Sequence, residues 1–266
     1  MGNVYEALRQ AEIDAVRSGS AVGQERTCRE VSQPLAFPSN RLEGAGTLAR
    51  QKAVDHRLVT MNHDRGAGAE QFRMLSVRLK DRRKEAGLRK ILITSSVPGE
   101  GKSVVAANLA VSLARGGGEN VLLLGGDVLS PGLNRLLGCD GIPGIHECLN
   151  GDQPYINYLY RVAPFSLWFL PPGKASDRIN VMESARLKEL LDLLSSSFDW
   201  VVIDSPPLLP LADANVWARM VDGVLLVVRE GKTSKKCLQR AISGLGGPQL
   251  LGVVVNECRH ANADGY

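Results

Sequence analysis

The stretch Ser95-Ser96-Val97-Pro98-Gly99-Glu100-Gly101-Lys102-Ser103 restricts what this 266-residue chain can be more than any other. The apolar run Ile91-Leu92-Ile93 leads into it, and Val104 to Leu113 leads out with the pattern of a helix. Strand, glycine-bearing loop ending in Gly-Lys-Ser, then helix is the layout of a phosphate-binding loop. Gly99 and Gly101 lack a Cβ, so the backbone can turn several N–H groups toward one anion. The helix beginning near Lys102 adds its free N–H groups and the positive end of its dipole. Lys102 is expected to reach the β- and γ-phosphates, and the Ser103 hydroxyl to ligate Mg²⁺. Pro98, Gly99, Glu100, Gly101, Lys102, Ser103 and Val104 are therefore the expected nucleotide contacts. One letter departs from the usual G-x-x-x-x-G-K-[ST] pattern: Ser96 stands where the first glycine belongs.

Downstream the chain alternates short β-rich runs with amphipathic helices. Val121 to Leu124, Leu167 to Leu170, Trp200 to Ile203, Gly223 to Val228 and Leu250 to Val255 read as strands, and 183–196 as a helix. Nearly continuous apolar strands separated by helices predict an α/β fold of the P-loop NTPase type: a mostly parallel sheet with helices on both faces. Ligands in such sheets bind beyond the carboxyl ends of the strands. Two of those ends deliver an acid. Val201-Val202-Ile203-Asp204-Ser205-Pro206-Pro207 has the Walker B arrangement, with Asp204 placed to accept from the water shell of Mg²⁺ near Ser103. Leu122-Leu123-Leu124-Gly125-Gly126-Asp127 brings Asp127 to the same edge, either as a second metal-flanking carboxylate or as a turn or cap residue. Lys102, Asp127 and Asp204 are the candidate catalytic residues, and Ser103, Asp127 and Asp204 the candidate metal ligands.

Three regions are expected along the chain. Residues 1–17 carry a short amphipathic helix, with Val4, Leu8, Ala11 and Ala15 on one face. Residues 18–68 are polar and broken by Pro34, Pro38 and glycine clusters, which reads as a flexible arm. Residues 69–266 form the nucleotide-binding domain. It opens with a helix from about Ala69 to Glu85, whose apolar face is Phe72, Leu75 and Leu79. Its basic residues Arg73, Arg78, Lys80, Arg82, Arg83 and Lys84 suit either plain solvation or contact with an acidic partner or membrane surface. A net charge of +4 is too weak to imply nucleic acid, and no apolar run approaches the ~20 residues of a membrane span. The five cysteines are scattered without a C-x-x-C pair, which suits reduced thiols in the cytoplasm.

Taken together these segments resemble the bacterial tyrosine kinases of exopolysaccharide and capsule synthesis, over about Glu70 to Asn256. The resemblance includes Ile93 to Ser103, Phe198 to Pro207, Leu170-Pro171-Pro172-Gly173, Ala212-Asp213-Ala214, Val221 to Val224, Gly231-Lys232-Thr233 and Gly252 to Asn256. It implies ATP and Mg²⁺ as cofactors, a metal role for Asp204, a Walker A′ acid at Asp127, and an adenine contact at Asn256. It also implies a membrane chain-length determinant, or polysaccharide co-polymerase, as partner. Assembly into a homo-oligomer and a cytoplasmic location held at the inner membrane through the partner go with it.

Three positions depart from that family. Walker A′ there reads D-x-D-x-R; here Gly125 replaces the first Asp, the proposed base for the acceptor tyrosine, and Leu129 replaces the Arg. The helix motif for ring assembly, E-x-x-R-x-x-R, is Glu70, Arg73 and then Ser76. The tyrosine-rich tail is reduced to Tyr266, the remaining candidate phosphoacceptor, while Tyr155, Tyr158 and Tyr160 suit local packing. Two functions follow. One is phosphoryl transfer from ATP–Mg²⁺ to tyrosine, weakened because general-base help is worth about 10² to 10⁴ in rate. The other is an inactive kinase-like regulator of the export complex, in which Gly125→Asp would restore activity. A partitioning or septum-site type ATPase is disfavoured, because its signature lysine position is occupied by Val97.

Overall fold

The computed structural model describes residues 45–48, 55–62, 66–115, 118–174, 185–209, 213–245 and 249–258. The expected helix in 1–17 and the candidate acceptor Tyr266 lie outside the described residues. In chain order the elements are β1 (Gly46–Thr47), α1 (Val59–Asn62), α2 (Ala67–Ala86), β2 (Lys90–Ser95), α3 (Lys102–Arg115) and β3 (Val121–Gly125). Next come α4 (Gly132–Leu137), α5 (Ile145–Asn150), a 3₁₀ turn (Tyr155–Tyr158), β4 (Tyr160–Arg161), β5 (Leu167–Leu170) and α6 (Ala185–Ser197). The chain closes with β6 (Trp200–Asp204), α7 (Asp213–Ala218), β7 (Gly223–Arg229), α8 (Lys235–Gly244) and β8 (Gln249–Asn256). Every strand and helix predicted in the nucleotide-binding region is present.

The strands form one sheet in the order β1-β4-β5-β3-β6-β2-β7-β8. All neighbouring pairs are parallel except β4 with β5. β2 lies between β6 and β7, so the loop after Ser95 emerges at the middle of the sheet, beside the end of β6. The register pairs Ile93 with Asp204 and Gly125 with Asp204, which sets the ends of β2, β6 and β3 side by side. The central strands are buried on both faces, which is why their sequences are continuously apolar. Alternate residues feed opposite cores. Ile91, Ile93, Leu123 and Val202 pack with α3 and α2, whereas Leu92, Leu122, Leu124 and Ile203 pack with α6 and Trp217.

Short pieces of the segment 18–68 lie on this domain. Gly46 N–H donates to Leu159 O at 2.9 Å. Leu58 is completely buried, and α1 is tied to the middle of α3 through Asn108. The Asn108 amide donates to Arg57 O and Val104 O, both at 2.9 Å, and its Oδ1 accepts from Thr60 N–H at 3.0 Å and Thr60 Oγ1 at 2.9 Å.

The basic face of α2 is partly spent inside the molecule. Lys80 and Arg83 both pair with Glu119, and Arg83 also reaches Asp199 at 3.1 Å while lying over the Trp200 ring. Ser76 is buried between α2 and α3, donating to Arg73 O at 2.7 Å and touching Ser112. Tyr158 is buried, and Tyr155 packs beside it against the same core. Among the described residues no helix is long and apolar enough to cross a membrane. Cys139, Cys148, Cys237 and Cys258 are free thiols.

Candidate functional site

The loop between β2 and α3 has the backbone its glycines predict. Gly99 and Gly101 take φ of 82° and 92°, the left-handed region that penalises a Cβ. A Cβ on Gly101 would also collide with the Asn256 amide. Ser96 needs no such freedom: among the described residues the only non-glycine with positive φ is Glu257. That is why serine is accepted where the pattern has glycine. Ser96 is buried, and its carbonyl accepts from Leu209 N–H at 3.1 Å. The segment after β6 thus runs along the loop and braces it.

Glu100 braces the other side. It is 2% exposed, and its Oε2 accepts from Val97 N–H at 2.9 Å. Its Oε1 accepts from the Thr233 hydroxyl, which in turn accepts from Arg229 N–H at 2.9 Å. Asn256, at the end of β8, donates from Nδ2 to Glu100 O at 3.0 Å. Asn256 and Glu100 are therefore structural partners, and Asn256 lines the cleft above the loop from that position. The ends of β7 and β8 are stitched onto the loop by these contacts.

Lys102, Ser103, Asp127 and Asp204 converge. Lys102 Nζ lies 2.8 Å from Asp127 Oδ2, with both side chains nearly buried. Asp127 Oδ1 also accepts from Ser130 N–H at 3.0 Å, so it serves the turn as well. Burial acts against the Lys102 charge, but Asp204 and Asp127 outweigh it and hold its pKa above the ordinary lysine value. Asp204 is fully enclosed, and burial pushes its pKa up to about 6 against the opposing influence of Lys102 and the nearby Ser103 hydroxyl. Among the described residues, Asp204 Oδ1 has no hydrogen-bond partner. A buried carboxylate oxygen without a donor is costly unless something positive belongs there. Mg²⁺ fits: Ser103 and Asp204 would hold it with hard oxygen donors, and when bound it would offset charge on the phosphates.

Gly125 ends β3 at this edge, and its neighbourhood is occupied. A Cβ there would stand 2.5 Å from Pro172 Cδ and 3.0 Å from Pro172 N. The loop holding Pro172 is fixed by α5, since Pro171 O accepts from Ile145 N–H at 2.8 Å and Pro172 O from His146 N–H at 3.3 Å. Glu147 locks the same loop by accepting from Gly144 N–H and Lys174 N–H, both at 2.8 Å. Leu129 is 49% exposed and packs against nothing that explains it.

A cleft of about 690 Å³ opens over the first turns of α3. Its floor is Gly99, Gly101, Lys102, Ser103 and Val104, and its far wall is Asn256, Glu257 and Cys258. Arg57, Val59, Phe72 and Leu75 line another part of it, as do Ser130, Gly132 and Arg135 from α4 and the turn before it. The structure thus gathers Gly99, Gly101, Lys102, Ser103, Val104 and Asn256 around one cleft, with Asp127 and Asp204 beneath it and Glu100 buried under the loop. Arg57, Asn108, Arg135 and Thr233 belong to the same construction but were not singled out from sequence. Only Thr233 carried a signal, through Gly231-Lys232-Thr233.

Known proteins give a consistent picture. Residues 88–261 match the family described as ParA: NUBPL iron-transfer P-loop NTPase. Over 210 residues the chain is 28% identical to tyrosine-protein kinase YwqD of Bacillus subtilis, covering 78% of this chain and 88% of that one. It is 30% identical over 173 residues to tyrosine-protein kinase CpsD of Streptococcus pneumoniae, covering 64% of this chain and 76% of CpsD. It is 30% identical over 205 residues to the succinoglycan biosynthesis transport protein ExoP of Rhizobium meliloti, which covers 75% of this chain but 26% of ExoP. Among solved structures, the chimerical protein CapA2B2 superposes with a TM-score of 0.72 at 26% identity, covering 82% of this chain and 96% of that one.

Proposed function

The chain belongs to the bacterial tyrosine-protein kinases, within the ParA-type P-loop NTPases, and on that premise we propose that it binds ATP with Mg²⁺ in a polysaccharide assembly system and transfers phosphate to tyrosine weakly. The observation that carries the nucleotide reading is the convergence of Lys102, Ser103 and the unpartnered Asp204 Oδ1 under a glycine-built loop. Lys102 leaves Asp127 for the phosphates when nucleotide enters. Asp127 is then the carboxylate free to take the proton of a tyrosine hydroxyl. The phenolic oxygen bonds to the γ-phosphorus, the bond from that phosphorus to the bridging oxygen breaks, and ADP leaves. Tyr266 is the acceptor we assign within this chain.

The polysaccharide setting rests on relatives such as the succinoglycan biosynthesis transport protein. The chemistry would reside in residues 69–266, in the cytoplasm, held at the inner membrane by a chain-length determinant partner and assembled with further copies of itself. A second reading, a nucleotide-gated regulator without transfer, is favoured by one observation: Pro172 fills the space beside Gly125 where a base would project. A partitioning-type ATPase is the weakest reading, since Val97 stands at its signature lysine.

Two measurements test this. ATP–Mg²⁺ binding by the wild-type protein, weakened about 100-fold or more in Lys102→Ala, is expected; no wild-type binding at millimolar ATP overturns the nucleotide reading. Phosphotyrosine mass spectrometry after incubation with ATP–Mg²⁺ separates the first two readings. Signal that disappears in Lys102→Ala supports transfer, and a blank wild-type spectrum supports the regulator.

A further inference from the structure

The cations lining the nucleotide cleft differ in one respect. Lys102 is paired with Asp127 at 2.8 Å. Arg57 is clasped by Asp55 through Nε at 2.9 Å and Nη2 at 2.7 Å. Arg229 is paired with Glu257. Arg135 alone among them has no hydrogen bond, ion pair or ring contact with any described residue, although it lines the same cleft and is exposed to it.

Its position is not arbitrary. Arg135 is three residues along α4 from Gly132, and Gly132 is pressed so closely on the loop that a Cβ there would lie 2.6 Å from Ser103 Oγ. α4 therefore abuts the hydroxyl assigned to the metal, one residue on from the lysine assigned to the terminal phosphates. The neighbouring Leu133 and Leu136 are buried in the core with α3, which fixes the face of α4 that Arg135 leaves to the cleft. The Arg135 charge is felt at Lys102, where it opposes protonation. An uncompensated guanidinium at the phosphate end of a cleft whose other cations are already paired is where a polyanion gains most.

We propose that Arg135 is a phosphate-binding residue that contacts the terminal phosphates of a bound nucleoside triphosphate. This rests on the nucleotide reading above and deepens it. The forked guanidinium donates to the oxygens that distinguish a triphosphate from a diphosphate, so it makes the cleft selective for the triphosphate. Leu129, in the stretch between β3 and α4, is exposed and carries no charge, so the cation on this side of the cleft comes from α4.

Calorimetric titration with ATP–Mg²⁺ and ADP–Mg²⁺ tests it, using wild type, Arg135→Ala and Arg135→Lys, with thermal melts of the free proteins. Arg135→Ala is expected to weaken ATP about tenfold or more and ADP no more than about threefold, with an unchanged melt. Arg135→Lys is expected to recover part of the ATP affinity. ATP and ADP affinities that both stay at wild-type values in Arg135→Ala overturn the assignment while leaving nucleotide binding intact. An equal loss for both nucleotides also overturns it, because the triphosphate preference is then not its work. Failure of wild type to bind either nucleotide overturns the underlying reading as well, and the three results are distinct.

Discussion

Pro172 closes over Gly125, so close that a Cβ on residue 125 would meet the proline ring at 2.5 Å and its backbone nitrogen at 3.0 Å. A carboxylate at position 125 would therefore need room that the neighbouring loop already fills. Gly125→Asp should destabilise the protein by about 1–3 kcal/mol through overpacking alone, before any cost of burying a charge. It should not raise phosphotyrosine. Gly125→Asp with Pro172→Ala removes the ring atoms, recovers part of the stability, and is the combination expected to gain tyrosine phosphorylation. Denaturant unfolding of the three proteins and phosphotyrosine mass spectrometry check this; full activity in the single Gly125→Asp variant would sink it.

Asp204 gives a pH signature. Its pKa rises from 3.8 to about 6 because burial outweighs Lys102 and Ser103. Between those values the folded protein holds a proton that the unfolded chain has released. Stability from this group is thus fully present below about pH 4, is lost as pH rises to about 6 and stays level above that, a cost of roughly 3 kcal/mol at neutral pH without metal. Asp204→Asn should remove that cost, so the free variant gains stability over wild type at pH 8 and the gain shrinks toward pH 5. Mg²⁺ requires the charged form, so Mg²⁺-dependent nucleotide binding by wild type should fall as pH drops below about 6. In Asp204→Asn it should be weak at every pH. A stability difference that does not change between pH 5 and pH 8 would contradict this.

The central fold was legible because its strands are buried on both faces and its loop carries glycines at the two positions with positive φ. Ile91, Leu123 and Val202 announced the sheet, and Gly101-Lys102-Ser103 announced the site. What escaped has physical reasons. β1 and β4 have two residues each, too short for any period to show. At position 76 the sequence shows a departure from the E-x-x-R-x-x-R pattern but not that Ser76 is an interior residue against Ser112. Asn108 sits in a run of alanine and leucine that reads as plain core helix, and its role depends on a partner 48 residues away. Arg135 is invisible to pattern reading because its meaning is the lack of a partner among the described residues, a property of three-dimensional surroundings.

Asn108 holds the part of the cleft lined by Arg57 and Val59. Its side chain is wholly buried and makes four hydrogen bonds, to Arg57 O, Val104 O, Thr60 N–H and the Thr60 hydroxyl. Asn108→Ala strands Arg57 O and Thr60 N–H, and should cost about 2–4 kcal/mol. Thr60→Val removes only the hydroxyl and should cost about 1 kcal/mol. Because Arg57 and Val59 line the cleft, nucleotide affinity should fall with Asn108→Ala, while protease cleavage around residues 55–62 rises. Urea unfolding, calorimetry and limited proteolysis read the three effects, and an Asn108→Ala protein that is unchanged in all of them would refute the link.

Glu100 decides whether the phosphate loop is held ready or must be ordered by its ligand. Its carboxylate accepts from Val97 N–H on one oxygen and from Thr233 on the other, and the side chain is almost fully buried. Glu100→Ala leaves Val97 N–H without an acceptor beside a cavity, and should cost about 2–3 kcal/mol. Glu100→Gln can still accept from Val97 N–H through its amide oxygen and donate to Thr233 Oγ1 through its NH₂, so its cost should stay near 1 kcal/mol. Thr233→Val should resemble Glu100→Gln in stability but lose the tie between β7 and the loop. A loop that must be ordered on binding lowers affinity in proportion to its disordered fraction. ATP–Mg²⁺ affinity should therefore fall about tenfold in Glu100→Ala, less in Thr233→Val and least in Glu100→Gln. Measured by calorimetry, the reverse ranking, with Glu100→Gln the worst binder, would show that the carboxylate charge itself matters to the nucleotide rather than the brace it provides.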